Sequence, residues 1–151
     1  MIANDLTFTR MGQENISFVA TLEKRFFTTP WDEQALEKGL KNNSEIFWLV
    51  QVKGINVGYI GFAQTFESAD ILTVCVDPAY RRMGCAEALL RHCLDQMYDN
   101  GVEKVFLEVR ESNDSARSLY EKAGFCYLNK RINYYRDPVE DAFVMIKEMR
   151  K

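Results

Sequence analysis

The stretch that decides the fold runs from Val74 to Leu90 and reads VCVDPAYRRMGCAEALL. It begins as a β-branched, apolar run, turns at Asp77-Pro78, passes through a basic loop and continues as an amphipathic helix. A helix that begins in this way presents free N–H groups and the positive end of its dipole to an anion. Gly84 and Ala86 leave room for a ligand to approach the backbone. The stretch predicts a phosphate or pyrophosphate site, although a purely structural strand, loop and helix would read similarly.

The basic loop fits one of three common phosphate-binding motifs. It contains neither the G-x-x-x-x-G-K-[ST] of P-loop proteins nor the G-x-G-x-x-G of dinucleotide-binding folds. It matches [QR]-x-x-G-x-[GA] from Arg81 to Ala86, and this pattern resembles the acyl-CoA pyrophosphate loop of the GNAT N-acetyltransferase superfamily. Ala86 stands where many members have a second glycine, and Met83 stands where a basic residue or a glycine is common.

Composition is that of a small globular protein. We expect residues 1–151 to form one domain that is long enough to bury a sizeable core. The net charge of −3 gives no support for nucleic-acid binding, and no apolar run reaches membrane length. Met1–Asp5 lacks the pattern of a signal peptide, so we expect a cytoplasmic protein. The four cysteines show no C-x-x-C spacing and are expected to be reduced thiols, most of them buried.

Periodicity and turn residues predict seven strands and four helices. The strands are Leu6–Arg10, Ile46–Val52, Val57–Glu67, Asp70–Val76, Lys104–Val109, Phe125–Tyr135 and Ala142–Met149. The helices are Gln13–Arg25, Pro30–Leu40, one that carries the apolar stripe Ala86–Met97 and ends at Asn100-Gly101, and one from Asn113 or Asp114 to Gly124. Because Asp70–Val76 is largely apolar, we expect it to be buried on both faces. The order predicts an α/β fold with a mixed sheet and helices on both faces, and it resembles the mostly antiparallel GNAT fold.

Two side chains on these elements could carry out acid–base chemistry. Glu108 lies on the strand face opposite Leu107 and Val109, inside an apolar run where partial desolvation would suit a general base. Its alternative role is an ion pair with Arg110 or a solvent-facing position. Tyr120 falls on the apolar stripe of its helix, where its hydroxyl needs a partner, and its alternative role is that of a core tyrosine.

Four segments in the right order resemble the RimI branch of the GNAT superfamily, the ribosomal-protein alanine N-acetyltransferases. They are F-x-x-P-W at Phe27–Trp31, L-E-V-R-x-S-N at Leu107–Asn113, A-x-x-L-Y-E-x-x-G-F at Ala116–Phe125, and R-x-x-Y-Y-x-x-x-x-E-D-A at Arg131–Ala142. The resemblance implies that Glu108 is the general base and Tyr120 the general acid. The reaction that the resemblance implies needs neither a covalent intermediate nor a metal.

The same resemblance implies two sets of binding residues. The backbone of Val74–Val76 would pair with the pantetheine arm of acetyl-CoA, Arg82–Glu87 would hold its pyrophosphate mainly through N–H groups, and Asn113 would contact the pantetheine. The cofactor residues are therefore Val74, Cys75, Val76, Arg82, Met83, Gly84, Cys85, Ala86, Glu87, Asn113 and Tyr120. The residues on the peptide side would be Tyr134, Tyr135, Glu140 and Asp141, although solvation is the alternative for the two acids.

The resulting hypothesis is an enzyme that acetylates the N-terminal α-amino group, that of alanine, in a small-subunit ribosomal protein. An α-amine has a pKa of about 7.7–8.0 against about 10.4 for lysine, so one weak carboxylate base suits it. The alternatives are a relaxed or lysine Nε-acetyltransferase and, outside the enzymes, an acyl-CoA-binding module. The sequence does not determine the oligomeric state.

Overall fold

The computed structural model describes residues 5–149. Residues 1–4 and residues 150–151 lie outside that range. The expectation that Met1–Asp5 is not part of a signal peptide therefore concerns mostly residues outside the described range. The strands are β1 Leu6–Arg10, β2 Ile46–Val52, β3 Ile55–Thr65, β4 Ser68–Val76, β5 Lys104–Arg110, β6 Cys126–Tyr135 and β7 Glu140–Glu148. The helices are α1 Ile16–Phe26, α2 Glu33–Asn42, α3 Cys85–Asp99 and α4 Asp114–Lys122. The predicted number and order of strands and α-helices are confirmed.

The strands form one sheet in the order β1-β2-β3-β4-β5-β7-β6, in which β4 and β5 are the parallel pair and the other neighbours are antiparallel. The predicted mixed, mostly antiparallel sheet is therefore confirmed. β4 and β5 pair only where Ser68–Asp70 meets Lys104–Phe106. Beyond Asp70 and Phe106 the two strands separate, so a gap opens in the middle of the sheet.

Helices cover both faces of the sheet, as predicted. On one face, α1 and α2 bury their apolar stripes, including Val19 and Leu36, against β2 and β3. On the other face, α3 and α4 pack through side chains such as Leu89 and Tyr120. Each fully buried leucine of this kind contributes about 1.5–3 kcal/mol of transfer free energy. None of the helices within residues 5–149 is long and apolar enough to span a lipid bilayer.

The prediction that β4 is buried on both faces holds for its end, where Cys75 and Val76 are buried on opposite faces, and is wrong for Asp70 and Leu72, which are exposed. Gly61 of β3 pairs with Thr73 and the next residue, Phe62, pairs with Ile71, so Leu72 is the extra residue of a β-bulge. Leu72 is 40% exposed. Because the bulge reverses the alternation, Ile71 packs with the α3 side whereas Cys75 packs with the α1 side. This irregularity lies next to the point where β4 leaves β5.

The predicted starts of the first two helices are also wrong. Residues Gln13–Asn15 form a short 3₁₀ helix, and α1 begins only at Ile16. α2 begins after Asp32 rather than at Pro30, because the Asp32 carboxylate accepts a hydrogen bond from the Ala35 N–H at 2.8 Å. A side chain that satisfies a free N–H of the first turn defines a helix start more strongly than a proline, which only tolerates one.

Candidate active site

The loop before α3 has the backbone conformation that an anion site requires. Gly84 caps α3 in a left-handed conformation, with φ of 77°, and Arg82 is also left-handed, with φ of 66°. The first helical hydrogen bond runs from the Ala88 N–H to the Gly84 carbonyl at 3.0 Å, so the N–H groups of Cys85 to Glu87 precede it. A Cβ added to Gly84 would meet nothing within 4 Å, so the loop faces open space.

A cavity of about 280 Å³ lies between this loop and α4. It is lined by Val76, Tyr80, Arg81, Arg82, Gly84, Cys85, Ala86, Glu87, Ser115, Ser118, Leu119 and Lys122. The cavity thus brings together six of the predicted cofactor residues, whereas Met83 is not among its lining residues and is 42% exposed. Sequence reasoning missed Ser115, Ser118 and Lys122, whose spacing of three and four residues along α4 was the available signal.

Two charged side chains that line the cavity, Arg81 and Glu87, interact with other groups of the protein. Arg81 donates from Nε to the Val76 carbonyl at 3.2 Å, and its guanidinium lies 5.5 Å from the centre of the Phe26 ring. The Glu87 carboxylate pairs with Arg91 at 3.3 Å and with Lys122 at 3.4 Å. The hydrogen bond from Arg91, followed by the charge of Lys122, lowers the pKa of Glu87.

β4 presents its backbone to the gap. The described pairing of its β5 side stops at Asp70, so the edge from Ile71 to Val76 faces the opening. Its side chains Cys75 and Val76 are buried, and burial raises the pKa of the Cys75 thiol to about 11. Burial also raises the pKa of the Cys85 thiol. Both cysteines are free and neutral near pH 7, as expected for structural thiols.

Glu108 lies on β5 beyond Phe106, where the strand no longer pairs with β4, and both Glu108 and Tyr120 influence the Tyr135 hydroxyl electrostatically. Burial raises the pKa of the Tyr135 hydroxyl, and the neighbouring Tyr134, Glu108 and Tyr120 raise it further while Arg110 lowers it. These side chains come from β5, α4 and β6, so the fold brings them together from separate parts of the chain. Tyr120 is buried beside Phe125, and burial raises its pKa to about 12.

The ion-pair partner of Glu108 differs from the one that the sequence suggested. Arg131 of β6, not Arg110, lies 3.4 Å from the Glu108 carboxylate, measured from Nε to Oε2. The Glu108 side chain is 30% exposed, and its strand neighbours Leu107 and Val109 are buried on the opposite face. The carboxylate is therefore reachable from solvent.

Arg110 instead holds the β6–β7 turn. Its Nη1 donates to the Pro138 carbonyl at 3.0 Å and to Glu140 Oε1 at 3.2 Å, and its Nη2 donates to the Arg136 carbonyl at 2.8 Å. The guanidinium also lies 4.5 Å from the centre of the Tyr135 ring. Four interactions on one side chain fix this turn beside the gap.

The two acids predicted on the peptide side are engaged within the protein. Glu140 Oε2 accepts a hydrogen bond from the Ser112 N–H at 2.6 Å. Hydrogen bonding by the Ser112 side chain, followed by this backbone bond and by Arg110, lowers the pKa of Glu140. Asp141 Oδ1 accepts from the Asn133 N–H at 2.8 Å. Both acids lie at the start of β7, which begins two residues earlier than the sequence predicted. They hold the hairpin in shape rather than stand free in solvent.

The remaining predicted residues have simple positions. Asn113 caps α4, because its side-chain oxygen accepts from the Ala116 N–H at 3.1 Å. Tyr134 is exposed and meets Tyr135 edge to face with 5.0 Å between ring centres.

Glu23 is a buried carboxylate to which sequence reasoning gave no role. It is 1% exposed, and its Oε1 accepts from the Trp31 N–H at 3.0 Å. Its Oε2 accepts from the hydroxyl groups of Tyr59 and Thr73, each at 2.7 Å. The signal was present, since Glu23 continues the apolar stripe of α1 that includes Ile16 and Val19.

Comparison with known proteins identifies the family. Residues 16–125 match the Acetyltransferase (GNAT) family, and the chain belongs to this family. It is 36% identical over 129 residues to the [Ribosomal protein bS18]-alanine N-acetyltransferase of Escherichia coli, covering 82% of this chain and 84% of that protein. It is 34% identical over 135 residues to the N-alpha-acetyltransferase RimI of Mycobacterium tuberculosis, covering 85% of this chain and 84% of that protein.

Solved structures show the same relationship. The crystal structure of the ribosomal-protein-S18-alanine N-acetyltransferase from Escherichia coli superimposes with a TM-score of 0.87 at 28% identity, covering 97% of this chain and 95% of that one. Ard1 from Thermoplasma volcanium superimposes with a TM-score of 0.86 at 27% identity, covering 97% of this chain and 99% of that one. The fold of a GNAT acetyltransferase thus extends over nearly the whole described chain.

Proposed function

We propose that this GNAT protein transfers an acetyl group from acetyl-CoA to the α-amino group of the N-terminal alanine of ribosomal protein bS18. The carrying observation is that Glu108 lies on β5 beyond Phe106, where β5 no longer pairs with β4, and that its side chain is 30% exposed. The relatives named for this activity cover most of the chain and support the choice of substrate.

The cavity by the α3 loop fits the pyrophosphate of acetyl-CoA. Cys85 to Glu87 line the cavity and their N–H groups precede the first helical hydrogen bond, and the left-handed Gly84 leaves the adjoining space free of a side chain. We assign Arg82 to Glu87 to the pyrophosphate, the backbone of Val74–Val76 to the pantetheine arm and Asn113 to its contact near α4. When bound, acetyl-CoA supplies an acetyl group activated as a thioester.

The proposed role of Glu108 is to accept a proton from the substrate amine. A neutral amine is required because only the nitrogen lone pair can attack the acetyl carbon. An α-ammonium is roughly 2.5 pKa units easier to deprotonate than a lysine ammonium, which is about 3.5 kcal/mol less work near neutral pH. Glu108 would first take the proton of the α-ammonium and pass it to water, and as the N–C bond forms and the C–S bond breaks the second nitrogen proton would leave by the same carboxylate.

The proposed role of Tyr120 is to donate a hydrogen bond to the departing sulfur. With a pKa of about 12, the phenol stays protonated at any physiological pH. A thiol has a pKa of about 8.5, so complete proton transfer from the phenol would be uphill by about 3.5 units, or about 5 kcal/mol. Tyr120 therefore stabilises the thiolate without giving up its proton, and water protonates the thiolate after release.

On the peptide side, Tyr134 and Tyr135 are the proposed contacts. Glu140 and Asp141 would act indirectly, since both are engaged in hydrogen bonds that shape the β6–β7 hairpin.

We also propose that residues 1–151 work as one domain, in the cytoplasm where a ribosomal-protein substrate is available, with no membrane or nucleic-acid contact.

The proposal is tested with two peptides that differ only at the α-amine. One begins with a free alanine followed by basic residues and an internal lysine, and the other is the same peptide with a formylated α-amine. After incubation with acetyl-CoA, mass spectrometry should locate acetyl on the free α-amine and none on either lysine. Transfer to lysine at full rate in the formylated peptide would replace this proposal with the lysine Nε alternative.

The role of Glu108 is tested by Glu108→Gln, which we expect to lower kcat by about 10²–10⁴-fold with little change in acetyl-CoA affinity. Glu111→Gln is the matched control. Glu111, like Glu108, pairs with a cation of β6, in this case Lys130 at 3.4 Å, but it lies beyond the end of β5. Normal turnover of Glu108→Gln at neutral pH would remove the base assignment. An inactive wild-type protein that still binds acetyl-CoA would support the non-enzymatic alternative.

A further inference from the structure

The Glu108 carboxylate is paired with a cation that belongs to the protein itself. Arg131 Nε lies 3.4 Å from Glu108 Oε2, and the Arg131 guanidinium lies 5.5 Å from the centre of the Tyr134 ring. Arg131 is on β6, directly across from Ala142 of β7, whereas Glu108 is on β5 across from Val144 of the same strand. The side chain thus reaches over β7 to the proposed base.

Arg131 is held far less firmly than the neighbouring Arg110. Its polar and aromatic partners within residues 5–149 are Glu108 and Tyr134, and its side chain is 58% exposed. Arg110, in contrast, donates to three acceptors, lies over Tyr135 and is 23% exposed. An exposed ion pair of the Arg131 kind contributes little to stability and separates readily.

A guanidinium held at Glu108 Oε2 competes with the substrate ammonium for that oxygen. Both a guanidinium and a substrate ammonium are cationic N–H donors that pair with carboxylate oxygens. A guanidinium keeps its proton throughout the physiological range, so unlike the substrate amine it cannot be neutralised in place. The substrate amine can therefore take the place at Glu108 Oε2 only after Arg131 has moved.

We infer that Arg131 occupies the place of the substrate ammonium at Glu108 in the free enzyme and is displaced when the peptide's amino terminus enters. This inference rests on the proposed function, because it takes Glu108 as the group that meets the amine. Arg131 thereby lowers the affinity of the enzyme for any peptide whose amino terminus must displace it. An amino terminus must compete with the internal cation, and a ligand without a positive charge at that position gains nothing from replacing it.

The test measures peptide affinity without turnover. A fluorescent peptide that begins with a free alanine and carries no other charge near its amino terminus is titrated into protein saturated with CoA, and the dissociation constant is read by anisotropy. We expect Arg131→Gln to bind this peptide two- to five-fold more tightly than wild type, equivalent to about 0.4–1 kcal/mol. Arg131→Lys, which keeps the charge, should stay within two-fold of wild type.

Three controls make the effect specific to Glu108. Arg136→Gln removes one positive charge from the same hairpin, and we expect it to leave the affinity unchanged, because Arg136 contacts Arg110 through its carbonyl. The α-formylated peptide, which has no ammonium, should bind wild type and Arg131→Gln equally. In a Glu108→Gln background, Arg131→Gln should no longer change the affinity.

Each alternative result overturns the inference. Weaker binding by Arg131→Gln would make Arg131 a direct peptide contact, and equal tightening of the formylated peptide would make it a steric obstacle only. Unchanged affinity would show that the pair does not compete with substrate. Failure of the proposed function is seen separately, as α-amine acetylation that is absent in wild type or retained by Glu108→Gln.

Discussion

Replacing Glu23 by alanine should destabilise the protein strongly, although Glu23 lies outside the proposed reaction. The substitution removes the acceptor of three hydrogen bonds, from the Trp31 N–H and from the hydroxyls of Tyr59 and Thr73. Tyr59 is fully buried and Thr73 is 9% exposed, so water does not readily replace the carboxylate. A buried donor left without a partner costs about 1–3 kcal/mol.

These costs allow the magnitude to be worked out. Three donors at about 1–3 kcal/mol each give a total of about 3–9 kcal/mol for Glu23→Ala. For a domain of about 150 residues, 1 kcal/mol lowers Tm by about 2–4 °C, so we expect a fall of at least about 6 °C. A hydroxyl that rotates to a new acceptor would bring the result to the lower end.

Glu23→Gln should be much milder for a geometric reason. The amide oxygen can keep the Trp31 N–H, while the amide NH₂ donates to the oxygens of Tyr59 and Thr73, since a hydroxyl both donates and accepts. The hydroxyl hydrogens then need new acceptors, and the neighbouring Cys75 sulfur is one for Tyr59. We expect a loss of about 1–2 kcal/mol, or about 3–6 °C in Tm.

The assay is thermal unfolding followed by circular dichroism, with urea unfolding as a second measure. Glu37→Ala is the matched control, because Glu37 is an exposed glutamate on the neighbouring helix α2, and it should change Tm by less than about 2 °C. A Glu23→Ala protein that melts within about 3 °C of wild type would refute the reasoning. So would a Glu23→Gln protein as unstable as the alanine variant.

Three further predictions concern the cofactor site, the leaving group and the response to acid. Gly84→Ala should weaken acetyl-CoA binding at least about ten-fold by calorimetry. The control is Gly101→Ala, which has a φ of 87° and equally open space, so it carries the same backbone strain without that loss of affinity. Equal affinities of the two variants for acetyl-CoA would contradict the pyrophosphate site at Gly84. Tyr120→Phe should lower kcat about ten-fold and leave acetyl-CoA affinity unchanged, and an unaltered kcat would exclude the hydrogen bond to sulfur. Burial lowers the pKa of His92, partly offset by Asp95, so the unfolded chain takes up its proton first and wild-type stability falls as pH drops below about 6.5. His92→Phe should lose that part of the pH dependence in urea unfolding from pH 7.5 to 5.5, and curves that remain parallel would disprove it.

Short-range information in the chain was enough for the elements and for the anion loop. The apolar stripe of α3 repeats at helical spacing and Asn113 caps α4 within three residues, so both are visible in a few adjacent letters. The loop around Gly84 could be predicted for the same reason, because helix N-termini and left-handed glycines act through the local backbone.

The tertiary structure alone decided which side chains of the site contact one another. The bulge at Leu72 depends on the register between β3 and β4, which no local pattern encodes. Glu108 meets Arg131 instead of Arg110, because β7 pairs with both β5 and β6 and Arg131 reaches across it, while Arg110 turns to the β6–β7 loop. Glu23 joins partners 36 and 50 residues away. The partner of a charged side chain is set by strand order and packing across such distances, so the sequence could name the chemical groups of the site but not which of them meet.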